Sequence, residues 1–142
     1  MYLNILVKKL IIYTDGGSRG NPGPSGIGVV IKDSQGNILK RISKFLGRRT
    51  NNYDEYEAVV EALGGAKTLL DKGGEIEVRM DSELVQRQLS GKYQIKEESL
   101  FPSFIKIHNL EVKYFPKIKY VHVRREDNKE ADFLANQAMD RG

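Results

Sequence analysis

The chain has 142 residues, no cysteine and a formal net charge of +4. That length suits one domain with a substantial core, and the missing cysteines exclude disulfides and thiolate-bound zinc. No apolar run approaches the ~20 residues of a membrane-spanning helix, and no small-residue cleavage site follows the apolar start MYLNILVKKL. A soluble, cytoplasmic, monomeric protein is expected. No linker, repeat or low-complexity tract divides the chain, so residues 1–142 are expected to form a single domain, with 1–9 as a candidate N-terminal extension. The basic balance favours a polyanionic partner.

In chain order, Leu10–Thr14 reads as a buried strand, which Leu3–Val7 extends or accompanies. Ile27–Lys32 is a second strand, the turn signal DSQGN follows, and Ile38–Leu46 is a third. Three strands on short turns predict an antiparallel meander. The period then changes. Tyr56, Val60, Leu63, Ala66 and Leu70 mark one stripe of a helix from Asn52 to Lys72, stopped by Gly73-Gly74. Ile76–Met80 is a strand, and Ser82 caps a short helix carrying Leu84, Val85 and Leu89. Ser99–Leu110 is a helix that tolerates Pro102 in its first turn. Ile118–Val123 is the last strand. Asn128 is a cap for a final helix with Ala131, Leu134, Ala135 and Ala138 on one stripe. The order βββαβααβα predicts an α/β fold: one mixed sheet with helices on its faces.

The segment YTDGGSRGNPGPSGIG is rich in glycine but opens no helix, and neither phosphate-loop spacing is present. It reads as a wide turn, stiffened by Asn21-Pro22-Gly23-Pro24, with left-handed backbone and close approach to something large. A plain hairpin is the competing reading.

Four acids occupy informative places. Asp15 and Asp81 each close a buried strand, and sites in α/β sheets form at the carboxyl ends of strands. Either alone is also an ordinary turn or cap residue. In TNNYDEYEAVVEAL, Asp54, Glu57 and Glu61 share a face with Thr68 and Lys72 and are expected in solvent. Glu55 shares its column with Val59, Ala62, Ala66 and Leu69, a half-buried flank where an acid needs a partner. Asp132 lies between Ala131 and Ala135 and borders the core, whereas Glu130 is expected in solvent. Four carboxylates without a histidine cluster suit Mg²⁺ or Mn²⁺. Such a set can hold two ions about 4 Å apart, the arrangement that supports in-line phosphodiester displacement.

The motifs YTDGGSRGNPGPSGIG, TNNYDEYEA, DSELV and NKEADFLAN, in this order, resemble type 1 ribonuclease H. The resemblance covers Leu10 to about Ala138. It implies a ribonuclease H-like fold, a five-stranded mixed sheet flanked by helices. It implies endonucleolytic cleavage of the RNA strand of RNA–DNA hybrids, giving 5′-phosphate and 3′-hydroxyl ends; duplex RNA is a further candidate substrate. The family's four catalytic, metal-holding carboxylates match Asp15, Glu55, Asp81 and Asp132, with two ions per site. Asn21, Asn51 and Asn52 match minor-groove contacts, where 2′-hydroxyls identify RNA. Thr50 matches a DNA-strand phosphate contact, Ser82 and Glu83 match further groove contacts, and Gly16 lies at the nucleic-acid surface. Two departures stand out. Many bacterial members carry a long basic, tryptophan-containing insertion where this chain has the short SGKYQIKEES, and Arg48 and Arg49 are candidates to compensate. Many also carry a loop histidine before the last acid. Here VHVRREDNKEAD is shorter, His122 reads as a strand residue and His108 as a surface one, so Arg125 is the candidate for the histidine's place. A non-catalytic hybrid-binding module and a DNA-cutting nuclease of the same fold are the alternatives.

Overall fold

The computed structural model describes residues 6–142. Strands β1 (Val7–Ser18), β2 (Gly23–Asp33) and β3 (Ile38–Arg49) form the expected antiparallel meander. Helix α1 (Asn51–Ala66) carries the chain to β4 (Leu70–Met80), which lies parallel beside β1. After α2 (Glu83–Leu89), a 3₁₀ turn (Glu98–Leu100) and α3 (Phe101–Tyr114), strand β5 (Lys117–His122) adds parallel to β4. A second 3₁₀ turn (Arg125–Asp127) leads into α4 (Lys129–Arg141). The sheet order is β3-β2-β1-β4-β5.

The period-two alternation of β1 buries Leu10, Ile12 and Thr14 on one face. Leu10 and Ile12, with Val29, Ile31, Ile76 and Val78, meet Tyr56, Val59 and Leu63 of α1 in the main core, which Leu100, Ile107 and Phe115 complete. Each fully buried aliphatic side chain there contributes about 1.5–3 kcal/mol. Helix α4 covers β2 with Ala131, Leu134, Ala135 and Ala138, the predicted stripe.

Several expectations need correction. Helix α1 ends at Ala66, not Lys72, and Gly73-Gly74 lies inside β4, where the pairing with β1 is irregular between Val7 and Lys9. Thr68 and Lys72 are therefore not on the helix. Strands β1 and β2 extend into the glycine segment because the backbone ladder continues from Asp15↔Gly28 to Ser18↔Ser25. Only four residues turn the chain, and of the glycines there only Gly20 is left-handed (φ +96°). The close neighbour that requires Gly16, Gly23, Gly26 and Gly28 is the protein itself. A Cβ on Gly28 would lie 2.0 Å from the Ala131 carbonyl oxygen, and one on Gly26 would lie 2.6 Å from that of Ala135. These two glycines let α4 lie directly on β2. Residues 7–9 of the proposed extension belong to β1; the rest of the Leu3–Val7 expectation lies largely outside the described residues. Among the described residues no helix is long and apolar enough to cross a membrane.

Candidate active site

Thr14 of β1 pairs with Met80 of β4 in parallel register, so the next residues, Asp15 and Asp81, emerge together at the same sheet end. Gly16 brings α1 onto this end: a Cβ there would sit 2.5 Å from the backbone of Asp54. That approach delivers Glu55. One carboxylate oxygen each from Asp15, Glu55 and Asp81 lie within 4.8 Å of one another. The fourth acid, Asp132 in the first turn of α4, stands close enough to Asp15 to help raise its carboxyl. All four line one cleft of about 450 Å³. Asp132 does so from an exposed position rather than from the core border, with Nδ2 of Asn136 donating to its Oδ1 at 3.3 Å.

The electrostatics follow from crowding. Burial, then the charges of Asp81 and Asp132, push the Asp15 carboxyl up to about 8. Burial, then Asp15 and Asp81, hold Glu55 well above the usual carboxylate range. Oε2 of Glu55 is buried without a hydrogen-bond partner. Three converging oxygens, mutual repulsion and an orphaned acceptor fit a divalent cation, which would let all the carboxyls ionise.

Around the acids, short polar side chains tie loop to helix. Oδ1 of Asn51 accepts from the backbone N–H and the hydroxyl of Ser18 at 2.9 and 2.8 Å. Oδ1 of Asn21 accepts from the Asn51 N–H at 3.0 Å. Thr50 caps α1, its hydroxyl accepting from the Tyr53 N–H. Ser82 caps α2 in the same way through the Val85 N–H. Asn51, Asn52, Gly16, Ser82 and Arg125 line the cleft, whereas Asn21, Thr50 and Glu83 are not among its lining residues. Glu83 pairs instead with Arg87 at 2.8 Å. His122 is exposed on β5 outside the cleft, and His108 is exposed on α3 beside Phe104.

Asp54, Glu57, Asn128 and Arg19 had no assigned role at the site. Asp54 is fully buried, not solvated, with both carboxylate oxygens unpartnered. Burial pushes its carboxyl up to about 7, against the pull of Ser25 and Arg49. Glu57 also leaves the expected solvated face: it accepts from the hydroxyls of Tyr53 and Ser103 at 3.1 Å each. Asn128 begins α4 but makes no side-chain cap. Its Nδ2 reaches the Thr14 carbonyl and Asp81 instead. The four-residue step from Asn128 to Asp132 was the available signal, since it places both on one helix face. Arg19 lines the cleft.

A family model described as reverse transcriptase-like matches residues 13–138, nearly the whole described chain. The chain is 34% identical over 150 residues to ribonuclease H of Clostridium botulinum, covering 94% of this chain and 97% of that one. It belongs to the type 1 ribonuclease H family. Among solved ribonucleases H, LC11 RNase H1, determined in complex with an RNA/DNA hybrid, superposes with a TM-score of 0.87 at 48% identity, covering 93% of this chain and 97% of that one. A bifunctional protein of Mycobacterium tuberculosis is 40% identical over 133 residues, 93% of this chain; the chain spans only 36% of that relative's length. The ribonuclease H fold thus agrees with the five-stranded mixed sheet expected from the element order.

Proposed function

We propose that this chain is an endoribonuclease that hydrolyses the RNA strand of RNA–DNA hybrids, leaving 5′-phosphate and 3′-hydroxyl ends. The observation that carries the reading is the convergence of Asp15, Glu55 and Asp81 within 4.8 Å at one sheet end, with Asp132 lining the same cleft. The hybrid bound to LC11 RNase H1, at 48% identity, supports the substrate class.

The four carboxylates would hold Mg²⁺ or Mn²⁺, two ions per site, and bound metal supplies an activated water and neutralises charge on the leaving oxygen. The chain's own residues do the rest. The parallel β1–β4 register holds Asp15 and Asp81 side by side before substrate arrives, so little reorganisation is needed on binding. Asn21 and Asn51 use their carbonyl oxygens internally. Their Nδ2 groups make no hydrogen bond among the described residues, leaving donors for 2′-hydroxyls and base edges. Asn52 presents its amide at the same groove. Thr50 and Ser82 accept backbone hydrogen bonds and keep a hydroxyl proton for a phosphate or sugar oxygen. Gly16 admits the α1 backbone and so seats Glu55 beside Asp15, and Glu83, paired with Arg87, is a further groove contact. Arg125 cannot act as a base, because its pKa stays above ~12; it stabilises phosphate charge and helps product leave.

Matched RNA–DNA, RNA–RNA and DNA–DNA duplexes incubated with Mg²⁺ test this. Cuts in the RNA strand of the hybrid are expected, with duplex RNA at most a weaker substrate and DNA uncut. An uncut hybrid, or cuts in the DNA strand, would overturn the assignment.

A further inference from the structure

The cleft sets four carboxylates against two arginines, Arg125 and Arg19. A polyanion entering it needs cations flanking the acids. Arg19 sits in the β1–β2 turn, across from α4. Its Nη2 contacts Asp140 Oδ1 at 2.5 Å and the Asn136 carbonyl oxygen at 3.5 Å. Residues 132, 136 and 140 follow at four-residue steps, so this face of α4 runs from the catalytic acid to the Arg19 partner. The backbone beneath Arg19 is firmly held. Its N–H donates to the Pro24 carbonyl at 2.9 Å, and the preceding Ser18 is tied to Asn51. The guanidinium can therefore swing without moving the turn.

The ion pair it would leave is weak. The Arg19 and Asp140 side chains are 48% and 66% exposed, and solvent screening leaves an exposed pair little net stabilisation. A phosphate offers the fork-shaped guanidinium two parallel, charge-assisted hydrogen bonds instead. Most of the other paired cations are held away from the cleft, Lys32 on Glu130 and Lys44 on Glu61 among them.

We propose that Arg19 is a substrate-binding residue: it exchanges Asp140 for a phosphate of the RNA strand beside the scissile bond, and Asp140 is its holding partner in the free protein. This rests on the hybrid-cleaving reading. It places a phosphate clamp beside α4 in the cleft that Asn52 and Ser82 also line.

The two partners should then act with opposite sign. Binding of a labelled RNA–DNA hybrid is measured by anisotropy in an Asp81→Asn background, over a range of salt. Arg19→Ala should raise Kd about 5–10-fold and reduce the slope of log K against log salt by roughly 0.7–0.9, one phosphate contact. Asp140→Asn should lower Kd about 2–3-fold, and that gain should vanish in the Arg19→Ala background. If the pair merely pins the turn to α4, both substitutions weaken binding alike, and the inference falls. It falls equally if Arg19→Ala leaves Kd and slope unchanged, or if Asp140→Asn helps even without Arg19, which would be simple relief of repulsion. Melting temperatures of the variants report any loss of fold. A wild-type chain that leaves the hybrid uncut overturns the functional reading. A wild-type chain that cuts it while these signs fail overturns the Arg19 role alone.

Discussion

Asn128, at the start of α4, donates through Nδ2 to the carbonyl oxygen of Thr14 at 2.9 Å and to Oδ2 of Asp81 at 3.2 Å. One buried amide thus joins the helix that carries Asp132 to the strands that carry the other sheet-end acids. Asn128→Ala removes the donor and leaves buried acceptors unsatisfied, which costs about 1–3 kcal/mol. Turnover on a hybrid should fall about 10–100-fold with KM within twofold. Asn128→Asp should be worse, because it brings another carboxyl against Asp81. A loss in KM alone would show that Asn128 serves binding rather than the placing of Asp81.

The acids themselves should separate by position. Asp15→Asn and Glu55→Gln should each reduce cleavage more than a hundredfold, roughly 2.7 kcal/mol or more of barrier. Glu57→Gln should keep nearly full turnover, since it lies two residues along the helix among Tyr53 and Ser103. A severe Glu57→Gln and a mild Glu55→Gln would reverse the assignment.

Arg125→Ala should lower turnover by about one to two orders of magnitude, about 1.4–2.7 kcal/mol, whereas His122→Ala should change it little. Arg125 lines the cleft and His122 does not. Steady-state rates on one hybrid decide between them.

Metal and pH should act together on stability. Asp15 is pushed up to about 8 and Asp54 to about 7, and Glu55 is also raised. Unfolded, such groups titrate near 4. Between about pH 4 and 8 the metal-free native state therefore binds more protons than the unfolded one, and its stability falls as pH rises. Groups held low, such as Asp33 by its hydrogen bonds from Asn37, act only below that window. Melting in EDTA should show the decline, and Asp15→Asn should flatten it. Mg²⁺ should raise Tm more at pH 8 than at pH 5. A Tm that ignores Mg²⁺ at pH 8 would argue against a cation among these acids.

Gly28→Ala tests how α4 is seated. The added methyl would meet the Ala131 carbonyl at 2.0 Å, and its nearest neighbours are all backbone atoms of α4. The helix must shift, at about 1–3 kcal/mol for overpacking, and Asp132 shifts with it. Both Tm and turnover should drop. Gly36→Ala is a comparison at a site with open space and positive φ. It should lower Tm slightly through strain and leave turnover intact.

The places of Asp15, Asp81 and Glu55 were legible because short-range spacing locates them, whereas Asp132, expected at the core border, is exposed. Asp15 and Asp81 follow apolar runs, and Glu55 falls on the column of Val59 and Ala62. Parallel strands and a 3.6-residue helix turn those local facts into one shared sheet end. Asp54 was misplaced for a specific reason. Its supposed solvated face was drawn with Thr68 and Lys72, beyond the true helix end at Ala66. Nor does local pattern show that Gly16 admits the α1 backbone close enough to bury that side chain. The glycines of β2 likewise looked ready for a ligand, yet Gly26 and Gly28 serve α4, more than a hundred residues away in the chain. Asn128 meeting Thr14, and Arg19 meeting Asp140, are contacts of the same kind. Periodicity reports which face of an element is buried. Which partner arrives there depends on how closely two backbones can approach, and only the packed tertiary structure sets that distance.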